Sequence, residues 1–286
     1  MHRPLRYTAL TIVVVLLAGP RMAAQKPQQV LMKILGANGA PITDLKPGDL
    51  KLTEDGVACK VLKVELAGGA LKVQVLVDNG EITTNPINGL RDGLQGFFDK
   101  IPQTTEMALY TTSPQSRPIV RSTTDRQKLL GGIALVTPDH SAGAFFDSLL
   151  DAVDRVDSDK APGTPVIMMI GSNAGAETIR DRDVQELQQK IVKHGITVHV
   201  ALMLTSNLSD RTGAQQEIGT ALTKLTGGRY ETFNSTTRFA TLLPEYGARI
   251  AESGALSQYQ YRITYEPPAK RSAAPKVAVA VERSNQ

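Results

Sequence analysis

Leu-Lys-Val-Gln-Val-Leu-Val-Asp, residues 71–78, is a run of apolar and β-branched residues that ends on one carboxylate. Gln74 is its only polar residue after Lys72. Gly68-Gly69 precedes it and Asn79-Gly80 follows it, so turn signals bound it on both sides. A short apolar run so bounded predicts a buried strand. An amphipathic helix comes next, and strands and helices then alternate almost to the end, the pattern of a mostly parallel α/β sheet. In such sheets ligands bind at the carboxyl ends of the strands. Asp78 stands at that place, and the reading of the rest turns on what surrounds it.

Working outward, Asn85-Pro86 predicts a helix start, with Asn85 as N-cap and Pro86 at the first helical position. Ile87, Leu90, Leu94, Phe97 and Ile101 follow at helical spacing. Glu106–Thr112 predicts a second strand. Arg117–Ser122 predicts an antiparallel edge strand, since Pro118 is tolerable only at an edge. A short helix over Asp125–Leu135 and an amphipathic one carrying Phe145, Leu149, Val153 and Val156 come next. Val166–Ile170 is the most apolar strand, and Gly171-Ser172-Asn173 leaves it. Later helices are marked by Val184, Leu187 and Ile191, by Ile218, Leu222 and Leu225, and by Phe239, Leu242, Tyr246 and Ile250. The last is expected to kink or restart at Pro244. Ile196–Met203 and Arg229–Phe233 are the strands between them.

The flanks differ. Val30–Leu35, Leu50–Thr53 and Ala58–Leu66 are short strands with tight turns, Asp55-Gly56 among them, and no helix intervenes. Gln258–Tyr265 and Lys276–Glu282 alternate strictly, as half-exposed strands do. The expected architecture is an α/β domain, a doubly wound, mostly parallel sheet over residues 68–254, inserted into a small all-β module built from 25–67 and 255–286.

The first 24 residues have the pattern of an export signal: Arg3 and Arg6, an apolar core Ala9–Ala18 too short for a membrane span, and Ala23-Ala24 for cleavage. A short retained anchor is the alternative. The chain has 32 Lys+Arg and 28 Asp+Glu, but residues 1–24 hold three arginines and no acid, leaving 29 against 28. So balanced a mature chain, without Trp, argues against nucleic acid and against an anionic membrane surface. Cys59 is the one cysteine, so no internal disulfide forms. It is expected as a small buried apolar residue, or else in an intermolecular bridge.

Three motifs stand out in order: Pro-Ile-Thr-Asp-Leu-Lys-Pro-Gly-Asp-Leu-Lys-Leu-Thr-Glu-Asp-Gly at 41–56, Leu-Thr-Gly-Gly-Arg-Tyr at 225–230, and Gln-Tyr-Gln-Tyr-Arg-Ile-Thr-Tyr-Glu-Pro-Pro at 258–268. Taken together they make the chain resemble a von Willebrand factor A-type domain, in particular the related family common in acidobacterial genomes. The resemblance implies a protein-binding domain with a metal-ion-dependent adhesion site. That family's Asp-x-Ser-x-Ser is here Asp78-Asn79-Gly80-Glu81-Ile82. Its second-motif Thr corresponds by spacing to Gly143, and its third-motif Asp to Ser172, followed by Asn173. Mg²⁺ needs octahedral oxygen coordination at about 2.1 Å and gives up water reluctantly. Gly80, Ile82 and Gly143 supply no side-chain oxygen, and one carboxylate with one hydroxyl does not restore the ligand set. Asp78 is then expected to accept bonds from N–H groups of the following loop or from Thr83 and Thr84. The functional version is a metal-free pocket of Asp78, Asn79, Glu81, Ser172 and Asn173.

Little other chemistry offers itself. Asp139, His140 and Ser141 are sequence neighbours, which is not how a nucleophilic triad is assembled. His194 is expected to cap a helix end and His199 to sit in the core. Gly171-Ser172-Asn173-Ala174-Gly175 lacks both phosphate-loop and dinucleotide-loop spacing. Asn207-Leu-Ser209 and Asn234-Ser-Thr236 fit glycosylation sequons but carry no weight in the bacterium the resemblance implies. Tyr259, Tyr261 and Tyr265 share one strand face, packed in the β module or exposed as a binding edge. The expectation is an exported, non-enzymatic protein-interaction module without a cofactor and without stable membrane insertion after signal cleavage. A Mg²⁺-dependent adhesion domain with a site rebuilt around Asp78 by Glu81, Asp139 or Asp147 is the alternative, and an exported hydrolase a distant third.

Overall fold

The computed structural model describes residues 26–36, 40–80, 87–173, 180–204, 213–257, 259–270, 272 and 275–282. The export signal, Glu81, Ile82, Thr83, Thr84, the Asn85-Pro86 helix start and the 207–209 sequon lie outside the described residues. In chain order come β1 (Gln28–Lys33), β2 (Leu50–Glu54), β3 (Val57–Leu66), β4 (Leu71–Val77), α1 (Ile87–Lys100), β5 (Glu106–Thr111) and β6 (Arg117–Thr123). Then follow α2 (Arg126–Leu135), α3 (Phe145–Ser158), β7 (Thr164–Ser172), α4 (Asp181–His194), β8 (Thr197–Met203) and α5 (Gly213–Thr226). The chain closes with β9 (Tyr230–Phe233), α6 (Phe239–Ser257), β10 (Gln260–Glu266) and β11 (Val277–Val281).

One sheet has the order β6-β5-β4-β7-β8-β9. All its pairs are parallel except β5–β6, and β6 is an edge, where Pro118 costs no ladder bond. The chain leaves β4 towards β5 and later returns on the other side of β4 as β7. Asp78 therefore follows the strand at the topological switch. The run 71–77 is apolar because both faces are covered. Val73, Val75 and Val77 pack with Leu90, Leu94 and Phe97 of α1 and with Phe239, Leu242 and Tyr246 of α6. Leu76 packs on the opposite face with Phe145, Phe146 and Leu149 of α3. Each of these side chains contributes about 1.5–3 kcal/mol by leaving water. Helices α1 and α6 approach closely because glycines line the seam: a Cβ on Gly93 would meet the Phe239 carbonyl oxygen at 2.4 Å, and one on Gly247 the Phe97 carbonyl oxygen at 2.7 Å. α6 runs through Pro244 as one helix rather than restarting there.

The second sheet has the order β1-β10-β3-β2-β11, antiparallel throughout, with strands from both ends of the chain. Asp55 (φ 50°) and Gly56 (φ 83°) make the β2–β3 turn, where two successive positive φ values suit Asp-Gly. Its core is Leu50, Leu52, Tyr261, Ile263 and Tyr265. The tyrosine stripe is therefore no exposed edge, because β10 is an interior strand paired on both sides. Tyr265 donates from Oη to Glu54 Oε2 at 2.6 Å, and Tyr261 Oη accepts from the Leu45 N–H at 3.3 Å. Cys59 is half-buried at the margin of this core, more open than expected.

Candidate functional site

Three strand ends converge on Asp78. Its own N–H donates to the Ile170 carbonyl of β7 at 2.8 Å, and the Thr112 N–H donates to the Val77 carbonyl at 3.0 Å. Parallel pairing thus places Ser113, just past β5, and Ser172, the last residue of β7, on either side of the carboxylate. Ser113 Oγ donates to Oδ1 at 2.7 Å, the Gly80 N–H to the same oxygen at 2.9 Å, and Ser172 Oγ to Oδ2 at 3.2 Å. Asp78 is 5% exposed, and Asn79, Gly80, Ser113, Gly143, Ser172 and Asn173 are buried with it. A buried carboxylate is expensive unless its oxygens are bonded; these three donors satisfy it from within the chain.

The loop ahead of α3 closes over the cluster. Asn79 holds it at both ends of its side chain, with Nδ2 donating to the Thr137 carbonyl at 2.9 Å and Oδ1 accepting from the Ser113 N–H at 3.2 Å. The Asp139 N–H donates to the Asn79 carbonyl at 2.7 Å, and the Ala144 N–H to the Thr112 carbonyl at 3.0 Å. Gly143 lies on the carboxylate itself. A Cβ there would fall 2.6 Å from Asp78 Cγ and Oδ2 and 2.7 Å from Oδ1. A Cβ on Gly80 would meet the Ser141 carbonyl oxygen at 2.4 Å. Both glycines are required by contact, not by backbone angle.

Among the described residues the donor set around Asp78 does not fit Mg²⁺. A cation beside Asp78 needs several oxygens turned outward around an open position. Here both hydroxyls point their hydrogens at the carboxylate, and the main chain at Gly143 takes the adjoining space. Among the described residues, no three His, Cys, Asp or Glu side chains gather to hold a metal. Asp139 is occupied by the Ser141 N–H and hydroxyl, whose hydrogen bonds hold its carboxyl below the usual range, and Asp147 is exposed on α3.

The three described histidines take separate places. His140 is exposed, and the neighbouring Ser141 hydroxyl is spent on Asp139. His194 does not cap α4: Gly195, at φ 63°, ends that helix, and its N–H reaches the Ile191 and Val192 carbonyls. The imidazole instead meets Asp157 of α3 at 2.5 Å. Hydrogen bonds from Lys193 and then His194 pull the Asp157 carboxyl down to about 2. His199 is buried, accepts the Arg229 N–H at Nδ1, and stands edge-on to Tyr246. Burial holds it neutral, with its pKa lowered to about 4. Ser113 escaped the sequence reading. The signal for it was weak: a hydroxyl one residue beyond a strand parallel to β4, ahead of Pro114.

The fold is similar to that of a von Willebrand factor type A protein from Catenulispora acidiphila, with 9% identity, 92% of this chain and 72% of that one covered, and a TM-score of 0.54. BatB from Bacteroides thetaiotaomicron (11% identity, 64% and 100% coverage, TM-score 0.49) and the pilus adhesin SpaC from Lactobacillus rhamnosus GG (10%, 79% and 36%, 0.49) also align. The fold is that of the von Willebrand factor A type. Scans against protein-family models and against curated protein sequences find no match.

Proposed function

We propose that this chain is an exported, non-enzymatic protein-interaction module whose adhesion site has closed into a metal-free hydrogen-bond cluster. The observation that carries the reading is Asp78, which accepts from Ser113, Gly80 and Ser172 beneath Gly143. An A-type domain that binds partners through a metal keeps its oxygens presented to solvent; this one turns them on each other. Export rests on the pattern of residues 1–24, and the partner is taken to be a protein because the fold is of the A type. The strand order of the second sheet supports reading the α/β part as an insertion into a β module. Binding then uses the rim around the closed cluster or the β module rather than a metal.

The test is calorimetry of the mature protein with Mg²⁺ and Mn²⁺. The expected result is no saturable heat and no change in unfolding temperature with either ion. A micromolar site that disappears in Asp78→Ala overturns the proposal in favour of a rebuilt metal site.

A further inference from the structure

A second cavity lies at the other end of the central sheet. It occupies about 510 Å³ between the amino ends of β4, β5 and β7, the end of α3, and the second sheet at Leu66 and Arg262. That volume suits a small organic molecule. Its floor explains Gln74, the one polar residue inside the β4 run. Gln74 Nε2 donates to the Ala152 carbonyl at 3.0 Å, and Oε1 accepts from Arg155 Nε at 2.7 Å. The Arg155 guanidinium lies over the Tyr110 ring, 3.9 Å from its centroid. It is thus held flat and fixed, facing the cavity.

What it lacks is an anion. Among the described residues Arg155 makes no ion pair within 4.0 Å, although Asp151 and Asp154 of the same helix act on it from further away; its Nη2 is buried with no acceptor and is closed to solvent. Burial lowers its pKa, the mark of a charge partly stripped of water. Arg262, on the opposite wall, also makes no ion pair among the described residues. The other charges are matched: Lys72 Nζ is 2.7 Å from Asp159 and 3.9 Å from Glu106, and His194 meets Asp157. Lys72, Arg155 and Arg262 against Asp159 and Glu106 leave the lining one positive charge in excess. That suits a monoanion and disfavours a phosphate dianion, which two carboxylates would repel. Val73, Ala108, Val156, Pro162 and Pro165 supply apolar wall.

We propose that this cavity binds a monocarboxylate with a compact apolar body, its carboxylate on Nη1 of Arg155, the guanidinium nitrogen that is neither buried nor bonded to Gln74. Arginine recognises carboxylates through paired N–H donors, and Gln74 and Tyr110 pre-set its plane. The source is either a free acid or the carboxy-terminal residue of a peptide. The site is independent of the closed cluster at Asp78, so either proposal can fail without the other.

The experiment titrates the full mature chain with phenylacetate, with its neutral analogue phenylacetamide, and with N-acetylglycylphenylalanine, followed by saturation-transfer NMR and calorimetry. Phenylacetate is expected to bind at least about ten-fold more tightly than the amide, a difference of about 1.4 kcal/mol. Arg155→Gln is expected to remove that preference, and Arg155→Lys to weaken it. Gln74→Leu should reduce it while leaving thermal unfolding cooperative. Tighter binding of the peptide than of phenylacetate assigns the site to a chain terminus; the reverse assigns it to a free acid. Equal affinity for acid and amide, or acid binding unchanged by Arg155→Gln, overturns the proposal. So does absence of binding to the wild-type chain.

Discussion

Replacing Gly143 by Ala tests the closed cluster most directly. The new methyl carbon falls 2.6–2.7 Å from the carboxylate of Asp78. That carboxylate cannot swing away without breaking bonds to Ser113, Gly80 and Ser172. The loop cannot lift without losing the Asp139–Asn79 and Ala144–Thr112 backbone bonds. Overpacking of this kind costs about 1–3 kcal/mol. Asp78→Ala alone should cost about 3 kcal/mol, since three buried donors lose their acceptor at about 1 kcal/mol or more each. In the double variant the clash has no carboxylate to meet. The two changes should therefore be non-additive by about 1–3 kcal/mol, the double variant unfolding near Asp78→Ala alone. Urea unfolding followed by far-ultraviolet circular dichroism measures this, because α1–α6 all pack on the larger sheet and dominate the signal. At this size each 1 kcal/mol moves the thermal midpoint by about 2–4 °C. Wild-type stability in Gly143→Ala, or a strictly additive cycle, would refute the seating of Gly143 on Asp78.

Further outcomes follow from single contacts. His199 is neutral in the fold with a pKa of about 4, against about 6.5 when unfolded, so stability intact above pH 6.5 falls as pH drops towards 4. The loss is about 3 kcal/mol, and His199→Gln should flatten that part of the stability–pH curve measured by urea midpoints. Tyr246→Phe removes the 2.7 Å bond from its hydroxyl to the Val200 carbonyl and should cost about 1 kcal/mol in the same assay. Glu54→Ala removes the 2.6 Å acceptor of the Tyr265 hydroxyl and should cost about 1–3 kcal/mol, read as faster amide hydrogen exchange that appears first in β2 and β10.

The larger sheet was legible because its strands and helices announce themselves by different periods. The apolar run at 71–77 and the spacing of Leu90, Leu94 and Phe97 speak for themselves. The closure of the site was not. Gly143 reads in the sequence as a lost ligand; only the folded loop shows that the missing side chain makes room for the main chain against Asp78. Ser113 is 35 residues from Asp78 in sequence, belongs to none of the motif positions, and becomes a neighbour through strand pairing. Tyr261 and Tyr265 alternate as an exposed strand would, since periodicity reports which face a residue takes but not whether the strand is an edge. His194 sits where a cap belongs, yet Gly195 already serves the helix end and Asp157 of another helix takes the imidazole. Gln74 looked like an interruption in an apolar strand; what justifies it is Arg155 on α3, a partner that no local pattern discloses.

The seam between the first and last thirds of the chain has a consequence for the order of assembly. Among the described residues β1 pairs with β10 alone, so that Gln29 faces a Thr264 that lies 235 positions further along the chain. As the polypeptide is made, Val30 and Met32 must wait for nearly everything else before they have a strand to lie against. Once the central sheet is formed it brings Leu71 and the end of α6 together, with Gly254 against the Leu71 side chain. A very long loop closure is thereby turned into a short one. The smaller sheet is then the late-zipping part, and a chain stopped before Gln260 leaves β1 and one edge of β3 as open strands able to pair with other molecules.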